Sequence, residues 1–236
     1  MIKDPVIVDK YHNNKPAVFY IYNNCPISTS FKNNLIWESH LHDVFSQYIT
    51  PESIVIEGGS HIGSHTIKIG MLAKHVFAFE PMQSSYNILE QNIISNNLKN
   101  ITLSNSGLSN SCSTAHFDWI PIDNPGGSGL SNNPMGIPPW FKIETNKVPV
   151  KLITIDSLQL NKLDFIKLDV EGYETFAISG GFETIKKYKP IITLESWANH
   201  NGDVDINFTQ KVFRSLIDIG YNLIHINGPD FLFVPI

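Results

Sequence analysis

From Ser53 to Asn105 the chain alternates short apolar runs with longer runs of helical spacing: SIVIE, IGSHTIKIGMLA, HVFAFE, SSYNILEQNIISN and ITLSN. The apolar runs lack clean period-two alternation, the pattern of parallel strands covered on both faces by helices. The rhythm resumes with DFIKLD, a predicted helix over 173–188, PIITLE, a predicted helix over 207–219, and YNLIHIN before FLFVPI. GPD at 228–230 divides the last two runs and predicts a closing antiparallel hairpin. Upstream, PVIVD (5–9) and PAVFYIY (16–22) flank KYHNNK, whose Asn13 and Asn14 suit a turn, so an opening hairpin is expected. Apolar spacing from Phe31 to Tyr48 predicts a helix ahead of Pro51.

The expected architecture is therefore α/β, in one domain over 1–236, with residues 1–50 as a hairpin-and-helix extension. One insertion breaks the rhythm. Residues 120–147 concentrate Pro, Gly, Ser and Asn, and a stretch of that length reads either as a plain surface insertion or as a lid or acceptor-binding loop, the latter favoured by Trp140 and Phe141.

Composition narrows the function classes. A net charge of −5 without clustered Lys and Arg gives no footprint for a polyanion, so nucleic acid is not the expected partner. No window resembles a membrane span or a secretory signal, and the two cysteines, Cys25 and Cys112, lie far apart and are read as unpaired, which fits a cytoplasmic location. Oligomeric state is not legible.

The candidate chemistry lies in VIEGGSHIGSHT. An apolar run ends on Glu57, and Gly58, Gly59 and Gly63 follow where a strand gives way to a helix, so backbone there can approach a ligand. The dinucleotide pattern G-x-G-x-x-G fails, since Ser60 stands at its second glycine, and no P-loop is present. The next strand ends on Glu80, whose carboxylate can accept both hydroxyl hydrogens of a ribose. Glu57 is better suited to an ammonium than to a phosphate. S-adenosyl-L-methionine offers a ribose and an ammonium without phosphates.

These residues resemble the FkbM-type methyltransferases, a class I branch of the S-adenosylmethionine-dependent enzymes. The resemblance rests on IEGGSHIGSHT, FAFEP with NILEQNIISNN, LSNSGLSN, ITIDSL, DFIKLDVEGYE and PIITLE, in order over 53–195. It implies a Rossmann-like, doubly wound, mostly parallel seven-stranded sheet with an antiparallel last strand. It also implies that Glu57, Gly59 and Gly63 line the methionine end of the cofactor with Gly58 and Ser60 in the same turn, that Glu80 holds the ribose, that Pro81 and Met82 cover one adenine face and that Ser106 meets its edge. Glu38 is similar to a family glutamate near the cofactor. The implied reaction is O-methylation of a small polar acceptor, most plausibly a sugar or glycan.

Methyl transfer to oxygen needs positioning and a proton acceptor, and strand ends are where open sheets place ligands. Asp169 is the first candidate for base or positioning carboxylate, followed by Glu195 and by His200 in the next loop. Each has a plainer reading: Asp169 as a helix cap, Glu195 as a solvated strand end, His200 as a loop histidine. Glu171 and Glu174 are read as first-turn residues favoured by the helix dipole. His61 and His65, four apart, have metal-ligand spacing but no evident third ligand, so no metal is expected and His61 is assigned to cofactor packing or acceptor contact. Two other classes compete: a binding module on the same fold without turnover, and a nicotinamide-dependent dehydrogenase, which Ser60 disfavours.

Overall fold

A computed structural model describes residues 5–23, 25–122, 124–131, 143–144, 147–196 and 206–236. The chain opens with antiparallel strands β1 (Val6–His12) and β2 (Lys15–Phe19). Asn13 and Asn14 between them have φ of 49° and 60°, the left-handed pair of a tight hairpin turn. The helix predicted to begin at Phe31 is two helices, α1 (Pro26–Lys32) and α2 (Ser39–Tyr48), because Asn34 and Glu38 adopt φ of 58° and 45° and leave helical geometry between them.

Then follow β3 (Ile54–Gly58), α3 (Thr66–Leu72), β4 (His75–Phe79), α4 (Gln83–Ser95) and β5 (Ile101–Ser104). Strands β6 (Gly107–Leu108), β7 (Ser113–Pro121), β8 (Gly129–Leu130), β9 (Ile143–Glu144) and β10 (Pro149–Ile153) form a second, smaller sheet. The chain ends with β11 (Phe165–Leu168), α5 (Glu174–Ser179), α6 (Phe182–Tyr188), β12 (Ile191–Glu195), α7 (Ile206–Asp218), β13 (Tyr221–Asn227) and β14 (Asp230–Pro235). The single helix predicted over 173–188 is broken at Gly180 and Gly181, where a Cβ on Gly180 would collide with the Ser109 carbonyl and one on Gly181 would meet Ile155 at 2.8 Å.

The main sheet is mixed, in the order β13-β14-β12-β11-β3-β4-β5. Pairings from β12 to β5 are parallel, and β14 runs antiparallel to both β12 and β13. Neighbouring residues in a strand face opposite layers. Val55, Val76, Ala78 and Phe165 pack on Leu41 and Phe45 of α2 and Ile69 of α3. Ile56, Ile166, Leu168 and Ile192 pack on Ala177 of α5, Ile185 of α6 and Leu216 of α7.

The opening hairpin is tied down by helix side chains. Asn92 on α4 accepts from Tyr20 N at 2.6 Å and donates to Tyr20 O at 3.0 Å, and Asn96 repeats the exchange with Val18 at 3.0 and 2.7 Å. Two asparagines four apart on one helix face thus satisfy the free edge of β2 as a neighbouring strand would. Among the described residues no helix is long and apolar enough to cross a membrane.

Candidate active site

The carboxyl ends of β3, β4, β11 and β12 converge on two adjoining cavities. An apolar slot of about 50 Å³ is lined by Pro81, Met82, Leu108, Phe117, Leu130 and Tyr173. Beside it lies a chamber of about 450 Å³ lined by Glu38, Lys167, Asp169, Glu171, Glu195 and Asp230. Gly59, Glu80, Gly126, Asp169 and Glu171 border both, so slot and chamber form one crevice.

The glycine turn is shaped by neighbouring chain as much as by any ligand. Gly59 has φ +77°, and a Cβ there would collide with the carbonyl oxygen of Asp169, which crosses directly above. Gly63 has φ +93° and would bring a Cβ within 2.7 Å of Leu89 on α4, while Gly58 is closed in by Leu108 and Leu168 at 3.0 Å. The amides of Gly59 and Ser60 both donate to Phe79 O, at 3.0 and 3.1 Å, so neither is left to cradle a phosphate. Ser60 is buried and donates to Glu57 Oε2 at 3.2 Å. Glu57 has no exposed surface and borders neither cavity; it faces Lys167 across the β3–β11 pairing.

Glu80 joins the two cavities. Its Oε2 accepts from His61 N and its Oε1 from Met82 N, both at 2.7 Å. Each oxygen retains a second lone pair for a ligand donor. Burial pushes this carboxyl up to about 7, against the two backbone donors that favour its ionised form. Pro81 and Met82 continue from it along the slot wall. Ser106 is buried against Ser104, Oγ to Oγ 2.9 Å, and does not line the slot.

The chamber is strongly acidic. Lys167 Nζ lies 3.1 Å from Asp169 Oδ2 and 3.4 Å from Gly59 O. Burial opposes the lysine's charge, but Asp169, Glu57 and Glu38 outweigh it and its pKa is raised. Burial likewise works against ionised Asp169, and Lys167 with hydrogen bonds from Glu195 and Lys167 reverses the balance, leaving its pKa lowered. Glu195 and Glu171 go the other way, raised well above the usual range by burial and then by the Asp169 charge. The Asp169 side chain keeps 31% of its surface, so solvent in the chamber moderates these effects.

His61, at φ 48°, is 8% exposed and lines the chamber, stacked on Tyr22 with centroids 5.6 Å apart. Neither ring nitrogen has a hydrogen-bond partner among the described residues, and burial lowers its pKa to about 4. His65 has partners of its own: its Nε2 lies 2.8 Å from Glu38 Oε2, and its ring packs on His42 and Phe45.

The match that decides the family is to the sequence model of the methyltransferase FkbM domain, which covers residues 57–223. The chain belongs to the FkbM methyltransferase family. A methyltransferase FkbM from Methylobacillus flagellatus KT is 17% identical with a TM-score of 0.50, over 81% of this chain and 50% of that one, so the present chain spans half the length of that protein. A putative rRNA-methylase from Clostridium thermocellum is 13% identical with a TM-score of 0.51, over 83% of this chain and 92% of that one. At such identities the likeness is one of fold. No curated protein matches the sequence.

Of the residues singled out for a methyltransferase site, Gly59, His61, Glu80, Pro81, Met82, Asp169, Glu195 and Glu38 border the crevice. Glu57, Gly58, Ser60, Gly63 and Ser106 support it from behind, and His200 lies outside the described residues. The capping reading of Asp169 is corrected: α5 begins at Glu174 with Tyr173 as its N-cap. Glu174 is structural, its Oε1 accepting from Val170 N at 2.8 Å. Glu171, expected in the first turn of a helix, lies before it at φ 52° on the chamber wall. Sequence reasoning also missed Lys167, whose only signal was a cation inside a buried strand, DFIKLD.

Proposed function

We propose that this FkbM-family methyltransferase binds S-adenosyl-L-methionine in the crevice and methylates a hydroxyl of a small polar acceptor, a sugar or glycan. The observation that carries the reading is Glu80, set between an apolar slot and an acidic chamber. A ligand built as a flat base, a ribose and a cationic amino acid matches that sequence of surfaces. On this reading residues 1–236 act as one domain on a doubly wound, Rossmann-like sheet, for which the reversal of strand order at β3 gives support.

The cofactor when bound supplies an electrophilic methyl on a sulfonium. Pro81, Met82, Leu130 and Tyr173 cover the base, Glu80 accepts from the ribose hydroxyls, and the chamber carboxylates favour the positive charges. The Asp169–Glu195 pair is the proton acceptor for the substrate hydroxyl, with Lys167 holding Asp169 ionised and in place. His61 reaches the chamber without a competing protein partner and is free to contact the acceptor. Excess carboxylate in the chamber disfavours a phosphate-rich acceptor, which supports a small molecule over nucleic acid. Exposed, unpaired Cys112 suits the cytoplasm.

Residues 124–130 of the insertion supply part of both cavity walls, through Pro125, Gly126 and Leu130, which supports the lid reading; Trp140 and Phe141 lie outside the described residues. The test is S-adenosylhomocysteine release from S-adenosylmethionine against a panel of mono- and oligosaccharides. Acceptor-dependent release that Asp169→Asn and Glu195→Gln abolish is expected. Tight cofactor binding without release on any hydroxyl acceptor would move the chain to the non-catalytic binding module.

A further inference from the structure

We propose that the chamber is a binding site for a hard divalent cation, Mg²⁺ or Mn²⁺, held by the carboxylates of Asp169, Glu171 and Glu195. One oxygen from each lies within 4.8 Å of the other two. With metal–oxygen bonds of about 2.1–2.4 Å, ligand oxygens around one ion stand roughly 3–5 Å apart, so the three require little movement to share it. An all-carboxylate set selects hard cations over soft ones.

The second observation is His61. It is more than nine-tenths buried, lines the same chamber, and neither ring nitrogen has a hydrogen-bond partner among the described residues. A buried imidazole without partners is an unmet polar demand that a ligand in the chamber can satisfy. Charge points the same way. Lys167 is the one Lys or Arg lining the chamber among the described residues, and Asp169 and Gly59 O already take its ammonium. The imidazoles of His40 and His65 are already engaged by Asp230 and Glu38, at 2.7 and 2.8 Å.

The three carboxylates come from two chain segments, the loop after β11 and the end of β12, and meet where the acceptor is placed. A cation there leaves coordination positions for adjacent oxygens of a polyhydroxylated acceptor. That role rests on the methyltransferase reading; the binding itself does not.

The probe is Mn²⁺ alone, titrated into the full chain and followed by electron paramagnetic resonance, with S-adenosylhomocysteine binding measured on the same samples. One Mn²⁺ per chain is expected with a dissociation constant at or below about 1 mM. The variant Glu171→Gln/Glu195→Gln should weaken it at least about tenfold, and His61→Ala by several-fold. The single variant Glu195→Gln serves if the double variant does not fold. No Mn²⁺ binding to the wild type, or unchanged binding in the carboxylate variants, overturns the proposal. If S-adenosylhomocysteine still binds in that case, the cation site alone has failed; if neither binds, the methyltransferase reading has failed with it.

Discussion

The slot and the chamber share a border yet are built on opposite principles. The slot is apolar and assembled largely from residues that directly follow β4 and from the small second sheet, so its cohesion is ordinary burial. The chamber gathers carboxylates from the N-cap of α2, the loop after β11, and strands β12 and β14 around one buried lysine, so its cohesion depends on charges that stabilise only as a set. The difference implies that slot changes act locally and additively, whereas chamber changes act through protonation and depend on pH.

Gly59→Ala should have the largest effect, because it wedges apart the two regions at their common border. The Cβ meets the Asp169 carbonyl at a φ open mainly to glycine, and a loss of about 2–5 kcal/mol of stability is expected in denaturant unfolding. Retained stability would mean that the β3 and β11 ends do not cross as described.

Lys167→Met comes next and is specific to the chamber. Without the ammonium, Asp169 and Glu57 lose their shared counter-charge, and about 3 kcal/mol should be lost near pH 8. Asp169 has a lowered folded pKa, so its contribution is present above the unfolded value and lost as pH falls through the folded one. The deficit of the variant should therefore shrink in acid; a pH-independent deficit would reduce Lys167 to a packing residue.

Glu80→Ala tests the border from the cofactor side. Losing charge-assisted hydrogen bonds worth roughly 1.5–3 kcal/mol should weaken S-adenosylhomocysteine at least about tenfold by calorimetry. Equal affinity would remove Glu80 from the site.

The smallest effect concerns the layer behind the chamber. His42 is buried among Tyr11, Phe45 and His65, and burial, then His65 and Lys68, lower its pKa to about 2. Above pH 6.5 both folded and unfolded states are neutral; below it the unfolded chain takes a proton that the fold refuses. Between pH 6.5 and 5 this costs about 2 kcal/mol. Glu80 and Glu174, both raised to about 7, bind protons in the fold and act in the opposite sense, so the measurement is the difference between wild type and His42→Phe across that range. Parallel melting curves would show that His42 does not titrate against the fold.

The same contrast explains what the sequence revealed. Glu80 ends an apolar run, and its strand-end position marks it; Pro81 and Met82 follow it directly and were implied by the resemblance to the FkbM-type enzymes. Gly59 is equally visible in the turn, but its steric partner, the Asp169 carbonyl, belongs to the loop after β11, more than a hundred residues away. Lys167 and Glu171 were read locally, as strand and helix-start residues, because nothing in chain order shows that β11 pairs with β3 or that Glu195 on β12 lies within reach. The second sheet escaped for a related reason. The exposed–buried alternation of β10 is clear once seen, with Val150 and Leu152 inward, but its partners β6 and β7 are set by tertiary pairing.

The central claim, that the crevice is an S-adenosylmethionine site, is tested most directly by the melting temperature with and without S-adenosylhomocysteine. At about 100 times its dissociation constant the ligand adds roughly 2.7 kcal/mol, a rise of roughly 5–10 °C for a chain of this size. That rise, absent with NADH, is the predicted result. No shift at saturating S-adenosylhomocysteine would contradict the account.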